Sequence, residues 1–151
     1  MPETSRAQNA VLLILDDEPD IAISLQQFME FKLPNVDVVA TTSPREAREY
    51  IQSNRVDAVV VDYRLPDQDG VTFLEELRRA KPDIPGVLIT AYGHPTVLVD
   101  AVNRGKIQGL SLKPLDLESL VGTLGQLLRK RMGTTGRIPL RPTFGRDESK
   151  L

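Results

Sequence analysis

The sequence contains no cysteine and a single histidine, and it has no long apolar run. The absence of cysteine excludes disulfides, thiolate catalysis and cysteine-ligated zinc. The single histidine, His94, excludes metal sites built from several histidines. No stretch approaches the roughly 20 apolar residues of a membrane-spanning helix, and the N-terminus lacks the charged and then apolar segments of a secretory signal. We therefore expect a soluble, cytoplasmic protein that does not contact membranes.

Charge of one sign is not in large excess: 19 Lys and Arg residues stand against 21 Asp and Glu residues, a net of −2. The balance is uneven, because residues 129–151 carry a net +5 and residues 1–128 a net −7. An acidic domain binds nucleic acid poorly, but it suits a site built from carboxylates. The 151 residues are enough for about one domain with a sizeable core.

Five short apolar stretches alternate with five amphipathic stretches along the chain. A continuous apolar run of this length is typical of a strand buried on both faces. Strict alternation of strands and helices predicts a parallel sheet with helices on both faces and right-handed crossovers. The predicted strands are residues 10–15, 36–40, 56–61, 86–89 and 110–112, and the predicted helices begin near residues 19, 43, 70, 95 and 116.

Polar residues that can cap helices precede several of these helical stretches. Asp20 is placed to cap the first helix and Asp116 to cap the last. Ser43 and Glu46 form a capping box for the second helix, with Pro44 at its first position. The fourth helix is predicted to turn four apolar side chains inward: Val97, Leu98, Ala101 and Val102.

Charged or hydroxyl side chains follow four of the predicted strands. Asp16 and Asp17 follow the first strand, Asp62 ends the third, Thr90 ends the fourth and Lys113 follows the fifth. The carboxyl ends of parallel strands lie at one edge of the sheet, where α/β proteins bind ligands. We therefore expect three acids, a hydroxyl and an ammonium to meet in one cleft.

This set of residue types indicates metal-assisted phosphoryl chemistry. Three neighbouring carboxylates repel each other unless a cation lies between them, and oxygen ligands suit Mg²⁺, or Mn²⁺. One carboxylate, which we take to be Asp62, can attack phosphorus and form an aspartyl phosphate. The metal, the Lys113 ammonium and the Thr90 hydroxyl would then each contact one phosphoryl oxygen.

The same residues resemble the signatures of a known family, the response-regulator receiver domain of two-component signalling. The resemblance lies in residues 15–20 (LDDEPD), 61–70 (VDYRLPDQDG), 89–92 (ITAY) and 113–114 (KP), in the family's order and spacing. It covers about residues 10–130 and implies the flavodoxin-like (βα)5 fold, a three-layer sandwich with strand order 2-1-3-4-5. The expected domains are a disordered N-terminus at 1–9, a receiver domain at 10–131, and a disordered tail or linker remnant at 132–151.

The resemblance also implies a role for each site residue. Asp62 would accept a phosphoryl group from a histidine kinase or phosphotransfer protein. Asp17 would bind Mg²⁺ directly and Asp16 partly through water, and the backbone carbonyl of Arg64 would complete the protein ligands. Asp62 would share the metal with them.

The family resemblance assigns a second group of residues to switching. Lys113 would pair with the carboxylate or the phosphate and precede a cis bond to Pro114, and Thr90 would move toward the phosphate. The family usually has Tyr or Phe three residues before the lysine, where this chain has Leu110. Residues 101–107 resemble a receiver subgroup that has one extra residue before the last strand. In that subgroup the aromatic is expected at the position of Gln108 or Leu110, and neither residue is aromatic. We therefore expect phosphorylation to change the surface of the fourth helix, fifth strand and fifth helix less than in relatives with the aromatic.

Other polar residues near the predicted cleft fit structural roles. Glu18 is expected to point to solvent or to the rim. Asp67 and Asp69 are expected to be loop or cap residues, and Gly70 to satisfy backbone geometry. His94 is expected in a loop or at a helix start.

Three functions remain open from the sequence. The first is a phosphorylated receiver that signals to an unknown output protein, is not an enzyme, and can dimerise through the fourth helix, fifth strand and fifth helix. The second is a receiver scaffold with weak or vestigial switching, which Leu110 favours. The third is a Mg²⁺-dependent phosphatase with Asp62 as nucleophile, but Arg64 stands where such enzymes carry a general acid.

Overall fold

The computed structural model describes residues 8–91 and 93–133, and its centre is a five-stranded parallel sheet. The strands are β1 (Ala10–Leu15), β2 (Val36–Thr41), β3 (Ala58–Asp62), β4 (Gly86–Thr90) and β5 (Gly109–Leu112). The helices are α1 (Pro19–Lys32), α2 (Pro44–Ser53), α3 (Gly70–Ala80), α4 (Pro95–Asn103) and α5 (Leu117–Met132). The strand order β2-β1-β3-β4-β5 confirms the predicted flavodoxin-like topology.

Two apolar clusters, one on each face of the sheet, form the core. Alternate side chains of a strand point to opposite faces, so neighbouring residues of β1 belong to different clusters. Leu12 and Ile14 pack with α1 and α5, whereas Leu13 and Leu15 pack with α2, α3 and Ala101 of α4. The sheet is therefore covered on both faces, as the continuous apolar strands predicted.

The helix starts differ from the predictions in two details. Asp20 is not the cap of α1, because Pro19 occupies the first helical position that proline favours. Glu18 therefore becomes the N-cap residue, although its side chain makes no capping bond. The Ser43 hydroxyl accepts from the Glu46 N–H at 3.1 Å, as predicted, but the Glu46 carboxylate accepts from the Thr41 hydroxyl at 2.8 Å.

The fourth helix buries less of its apolar surface than expected. Ala101 is fully buried and Val97 and Leu98 are half-buried, but Val102 is 61% exposed, so its inward placement was wrong. Residues 97–102 are apolar except Asp100, which covers more of the circumference than the roughly 100° stripe a helix buries against one neighbour. The periodicity could not show which part of this surface faces the core.

A small element follows β3 that the sequence did not predict. Arg64–Leu65 and Gln68–Asp69 pair as an antiparallel hairpin of two residues on each side. Within residues 8–91 and 93–133, no helix is long and apolar enough to cross a bilayer. The predicted disorder at 1–9 and 132–151 lies almost wholly outside the described residues, although Met132 itself is the last residue of α5.

Candidate functional site

The predicted site residues meet at the carboxyl-terminal edge of the sheet. Asp62 is the last residue of β3 and Thr90 the last of β4, while Asp16 and Lys113 directly follow β1 and β5. Since β1 connects outward to β2 while β3 starts the other half of the sheet, the cleft between β1 and β3 is a topological switch point. The fold therefore brings four chain-distant strand ends to one place.

Three carboxylates form the centre of this edge. One oxygen each from Asp16, Asp17 and Asp62 lies within 4.8 Å of the others. Asp16 is 0% exposed and Asp62 3% exposed, so water screens their mutual repulsion poorly. In addition, Oδ2 of Asp16 is buried without a hydrogen-bond partner. A divalent cation with oxygen ligands fits this donor set, because it would satisfy that atom and offset the repulsion.

Lys113 is the cation that the chain itself supplies to the carboxylates. Its Nζ lies 3.3 Å from Oδ1 of Asp62, 3.6 Å from Oδ2 of Asp16 and 3.7 Å from Oε1 of Glu18. Its backbone N–H donates to the carbonyl of Thr90 at 2.8 Å, which fixes the start of the side chain beside β4. The peptide bond from Lys113 to Pro114 is cis, as the resemblance implied.

Burial and charge shift the pKa values at this site. Burial, assisted by the charge of Asp16, raises the pKa of Asp62 to about 7, against the opposing effect of Lys113. Burial also raises the pKa of Asp16, although the Glu18 N–H bonds its Oδ1 at 2.9 Å. Burial lowers the pKa of Lys113, but the Asp16 and Asp62 carboxylates outweigh it and raise that pKa. One ammonium therefore compensates the carboxylates incompletely.

The turn after Asp62 has the structural character that the sequence indicated. A Cβ at Gly70 would collide with the backbone oxygen of Asp62, so the close approach of α3 to β3 requires glycine. Asp69 caps α3 by accepting from the Thr72 N–H at 2.7 Å, which confirms its cap role. Asp67 is an exposed loop residue with φ of 68°.

The mouth of the site is a cavity of about 430 Å³. Glu18 borders it from an exposed position, as expected of a rim residue, and Arg64 borders it from the hairpin. His94 is exposed at the N-cap of α4, as expected, and Tyr92 of the quoted motif lies outside the described residues. The lining residues are Asp17, Glu18, Asp62, Arg64, Ala91 and Lys113.

The positions expected to carry a switching aromatic hold other contacts. Leu110 pairs with Leu88 across β4 and β5, and its side chain is 39% exposed. The Gln108 side chain accepts from the Gly86 N–H at 2.7 Å, at the opposite edge of the sheet from the carboxylates. Thr90, the last residue of β4, is fully buried.

Sequence reasoning missed two features of the site. The first is the short distance between Glu18 and Lys113, and the second is the unbonded Oδ2 of Asp16. The run of acids at 16–18 was visible in the sequence, but side-chain directions after a strand end were not.

Comparison with known proteins gives this geometry a family context. The sequence profile described as "Response regulator receiver domain" matches residues 12–124. The chain is 33% identical to the response regulator protein PilR of Pseudomonas aeruginosa over 130 residues, covering 85% of this chain and 28% of PilR. It is 32% identical to the transcriptional regulatory protein ZraR of Escherichia coli over 120 residues, covering 80% of this chain and 26% of ZraR. The chain thus spans little more than a quarter of the length of these relatives.

Solved structures share the fold. The crystal structure of the signal receiver domain of an HD domain-containing protein from Pseudomonas fluorescens superposes with a TM-score of 0.78. The match covers 87% of this chain and 96% of that chain at 24% sequence identity. At this identity the likeness establishes a common fold only. The chemistry of the site has to be inferred from its own residues.

Proposed function

Because this chain belongs to the response regulator receiver domain family, we propose that it is a phosphorylation-controlled signalling domain in which Asp62 accepts the phosphoryl group. The observation that carries the proposal is the placement of Asp62. It is the residue of the carboxylate cluster that ends the central strand, and its Oδ1 lies 3.3 Å from the Lys113 ammonium. It also borders the cavity through which a donor can approach.

The metal that fits the cluster is Mg²⁺, with Mn²⁺ as a substitute. Asp17 and Asp62 would be direct carboxylate ligands, Asp16 would act partly through water, and Arg64 would contribute its backbone carbonyl. When bound, the metal supplies positive charge to the phosphoryl oxygens. The buried Oδ2 of Asp16, which accepts no hydrogen bond, supports the assignment of a cation to this cluster.

The transfer is a displacement at phosphorus. A carboxylate oxygen of Asp62 forms the new O–P bond as the P–N bond of a phosphohistidine breaks, and the departing imidazole retains the electron pair and takes up a proton. The donor is a histidine kinase or a phosphotransfer protein. Lys113 stabilises the charge on one phosphoryl oxygen, and the Thr90 hydroxyl donates a hydrogen bond to another.

The output is an altered protein-interaction surface. An aspartyl phosphate adds charge and acceptor oxygens at the site, which can bias a two-state element nearby. The surface of α4, β5 and α5 is the proposed contact for an output protein or for a second copy. Exposed apolar residues support this choice: Val99, Val102, Leu110 and Leu112.

A scaffold with weak switching is the second candidate. Leu110 favours it, because leucine has neither a ring to turn inward nor a hydroxyl to expose. In that case phosphorylation would occur but would change the α4 and β5 surface little. A large chemical-shift change across residues 94–112 on addition of beryllofluoride would argue against the scaffold.

The phosphoacceptor assignment is tested by phosphorylation with acetyl phosphate and Mg²⁺, followed by intact-protein mass measurement. The wild type and Asp67→Asn should gain one phosphoryl group, because Asp67 lies exposed in the loop outside the cluster. Asp62→Asn should gain none. Uptake by Asp62→Asn at the wild-type level would show that the acceptor is another residue.

A further inference from the structure

The first turn of α4 is loosely held in the described part of the chain. Gly93, His94, Pro95 and Thr96 are all exposed, and the His94 side chain makes no capping bond. A Cβ at Gly93 would lie 3.8 Å from the side chain of Leu112. The segment that enters α4 therefore lies over an apolar residue of β5 that is itself half exposed.

The opposite end of α4 is packed tightly on α3. Ala101 and Gly105 are buried, and a Cβ at Gly105 would lie 3.4 Å from Cβ of Leu74. The Gly105 carbonyl accepts from Nε of Arg78 at 3.2 Å. The end of α4 and the Gly105 that follows it thus make apolar and polar contacts with α3.

Arg104 adds a polar network between the two helices. Its Nη2 donates to Oε1 of Glu75 at 2.9 Å and to Oγ1 of Thr72 at 3.2 Å, and its Nε donates to the same Glu75 oxygen at 3.2 Å. Arg104 directly follows α4 as its C-cap residue, and its Nη1 lies 3.7 Å from Oδ2 of Asp100 in the last turn of the helix. The Arg104 hydrogen bond and charge hold the pKa of Glu75 below its usual range. One side chain therefore ties the last turn of α4 to two residues of α3.

We propose that Arg104 is a clamp that anchors the C-terminal end of α4 to α3 and makes that end the pivot of the helix. With the C-terminal end held, displacement of α4 is a rotation that moves its first turn most. Such a rotation changes how far the segment at Gly93 covers Leu112. Because the clamp holds the C-terminal end, movement of the first turn of α4 changes the exposure of the apolar surface beside β5.

The clamp is attached to the helix whose first residue packs against the backbone of the candidate phosphoacceptor. Thr72 lies in the first turn of α3, and Gly70 at the start of that turn packs against the Asp62 carbonyl. The base of the pivot therefore lies on the helix whose first residue packs against the strand end that carries Asp62. α4 is thus linked through Arg104 and α3 to the strand that carries Asp62. This link does not involve an aromatic residue at position 110.

Amide hydrogen exchange of the metal-free protein, measured residue by residue by NMR, tests the clamp without any phosphorylation. In the wild type, amides of residues 101–104 should exchange more slowly than those of residues 98–100. Arg104→Met should raise exchange at 101–104 by about fivefold, the effect expected for one partly exposed ion pair with its hydrogen bonds. Arg79→Met is the matched control, because Arg79 also faces Glu75, at 3.9 Å, but from within α3.

Three results would overturn the proposal. The first is exchange at 101–104 that stays within experimental error of the wild type in Arg104→Met, the second is an equal increase in Arg79→Met, and the third is an effect that is not local to α4. Glu75→Gln provides the second variant, because it weakens the clamp while keeping the arginine, and it should raise exchange at the same amides. An effect of Arg104→Met spread evenly over all five strands would indicate general destabilisation and also contradict a local clamp. The exchange experiment uses unphosphorylated protein, so its outcomes test the clamp even if Asp62 proves not to accept phosphate.

Discussion

At the scale of single residues, the decisive feature is a buried carboxylate whose neighbours are mostly of its own charge. Asp62 faces Asp16 and Asp17 as well as Lys113, and burial raises its pKa to about 7. A carboxyl group that protonates more readily in the folded than in the unfolded chain favours folding at low pH. Its ionisation therefore opposes folding as the pH rises from about 4 to about 7.

The sign of this effect gives a prediction for metal-free protein. Asp62→Asn should be more stable than the wild type, and its advantage should grow between pH 5 and pH 7 and then level off. One pKa unit corresponds to about 1.4 kcal/mol, so the growth should be on the order of 1–3 kcal/mol. Urea unfolding in a chelating buffer at pH 5, 6, 7 and 8 measures it. A difference between the variants that is constant over this range, as expected for the exposed control Asp67→Asn, would contradict the interpretation.

At the scale of elements, the ends of strands were more predictable than the orientation of helices. Asp62 and Lys113 were recognised because an apolar run stopped at a charged residue, and parallel strands end at a common edge. Val102 was placed wrongly because several apolar residues surround α4, and only the tertiary structure selects the buried side. The position of Glu18 near Lys113 depends on side-chain directions after β1, which no periodicity encodes.

The junction of β3 and α3 allows a matched test with glycine substitutions. Gly70→Ala should destabilise the fold by about 1–3 kcal/mol, the cost of overpacking, because the new methyl group would collide with the Asp62 carbonyl. Gly122→Ala should instead stabilise it by roughly 0.5–1 kcal/mol, since Gly122 lies inside α5 with nothing within 4 Å of the added Cβ. Urea unfolding of both variants provides the measurement. Equal effects would show that Gly70 has no special packing constraint.

At the scale of the whole molecule, the negative balance of the chain includes a cluster of carboxylates at one edge of the sheet. Residues 1–128 carry a net −7, and three of the acids share one edge of the sheet. Charge repulsion of this kind is relieved by a ligand that binds only the folded state. The site and the stability of the domain should therefore respond together to divalent cations.

Mg²⁺ should raise the free energy of unfolding by about 2.7 kcal/mol at a concentration 100 times its dissociation constant. Asp17→Asn should lose most of this gain, because it removes a member of the cluster. Glu30→Gln, an exposed position on α1, should retain it. Thermal unfolding with increasing Mg²⁺ measures the response, and a full response in Asp17→Asn would place the ion elsewhere.

The position of Lys113 on the last strand also bears on how the chain acquires its structure. The three carboxylates belong to the first 62 residues, whereas their ammonium partner follows β5. A partly folded intermediate with β1 and β3 in place but β5 undocked would therefore hold the acids without the compensating cation, which is costly away from water. The electrostatics of the site thus penalise incomplete assembly and favour cooperative, all-or-none folding of the domain.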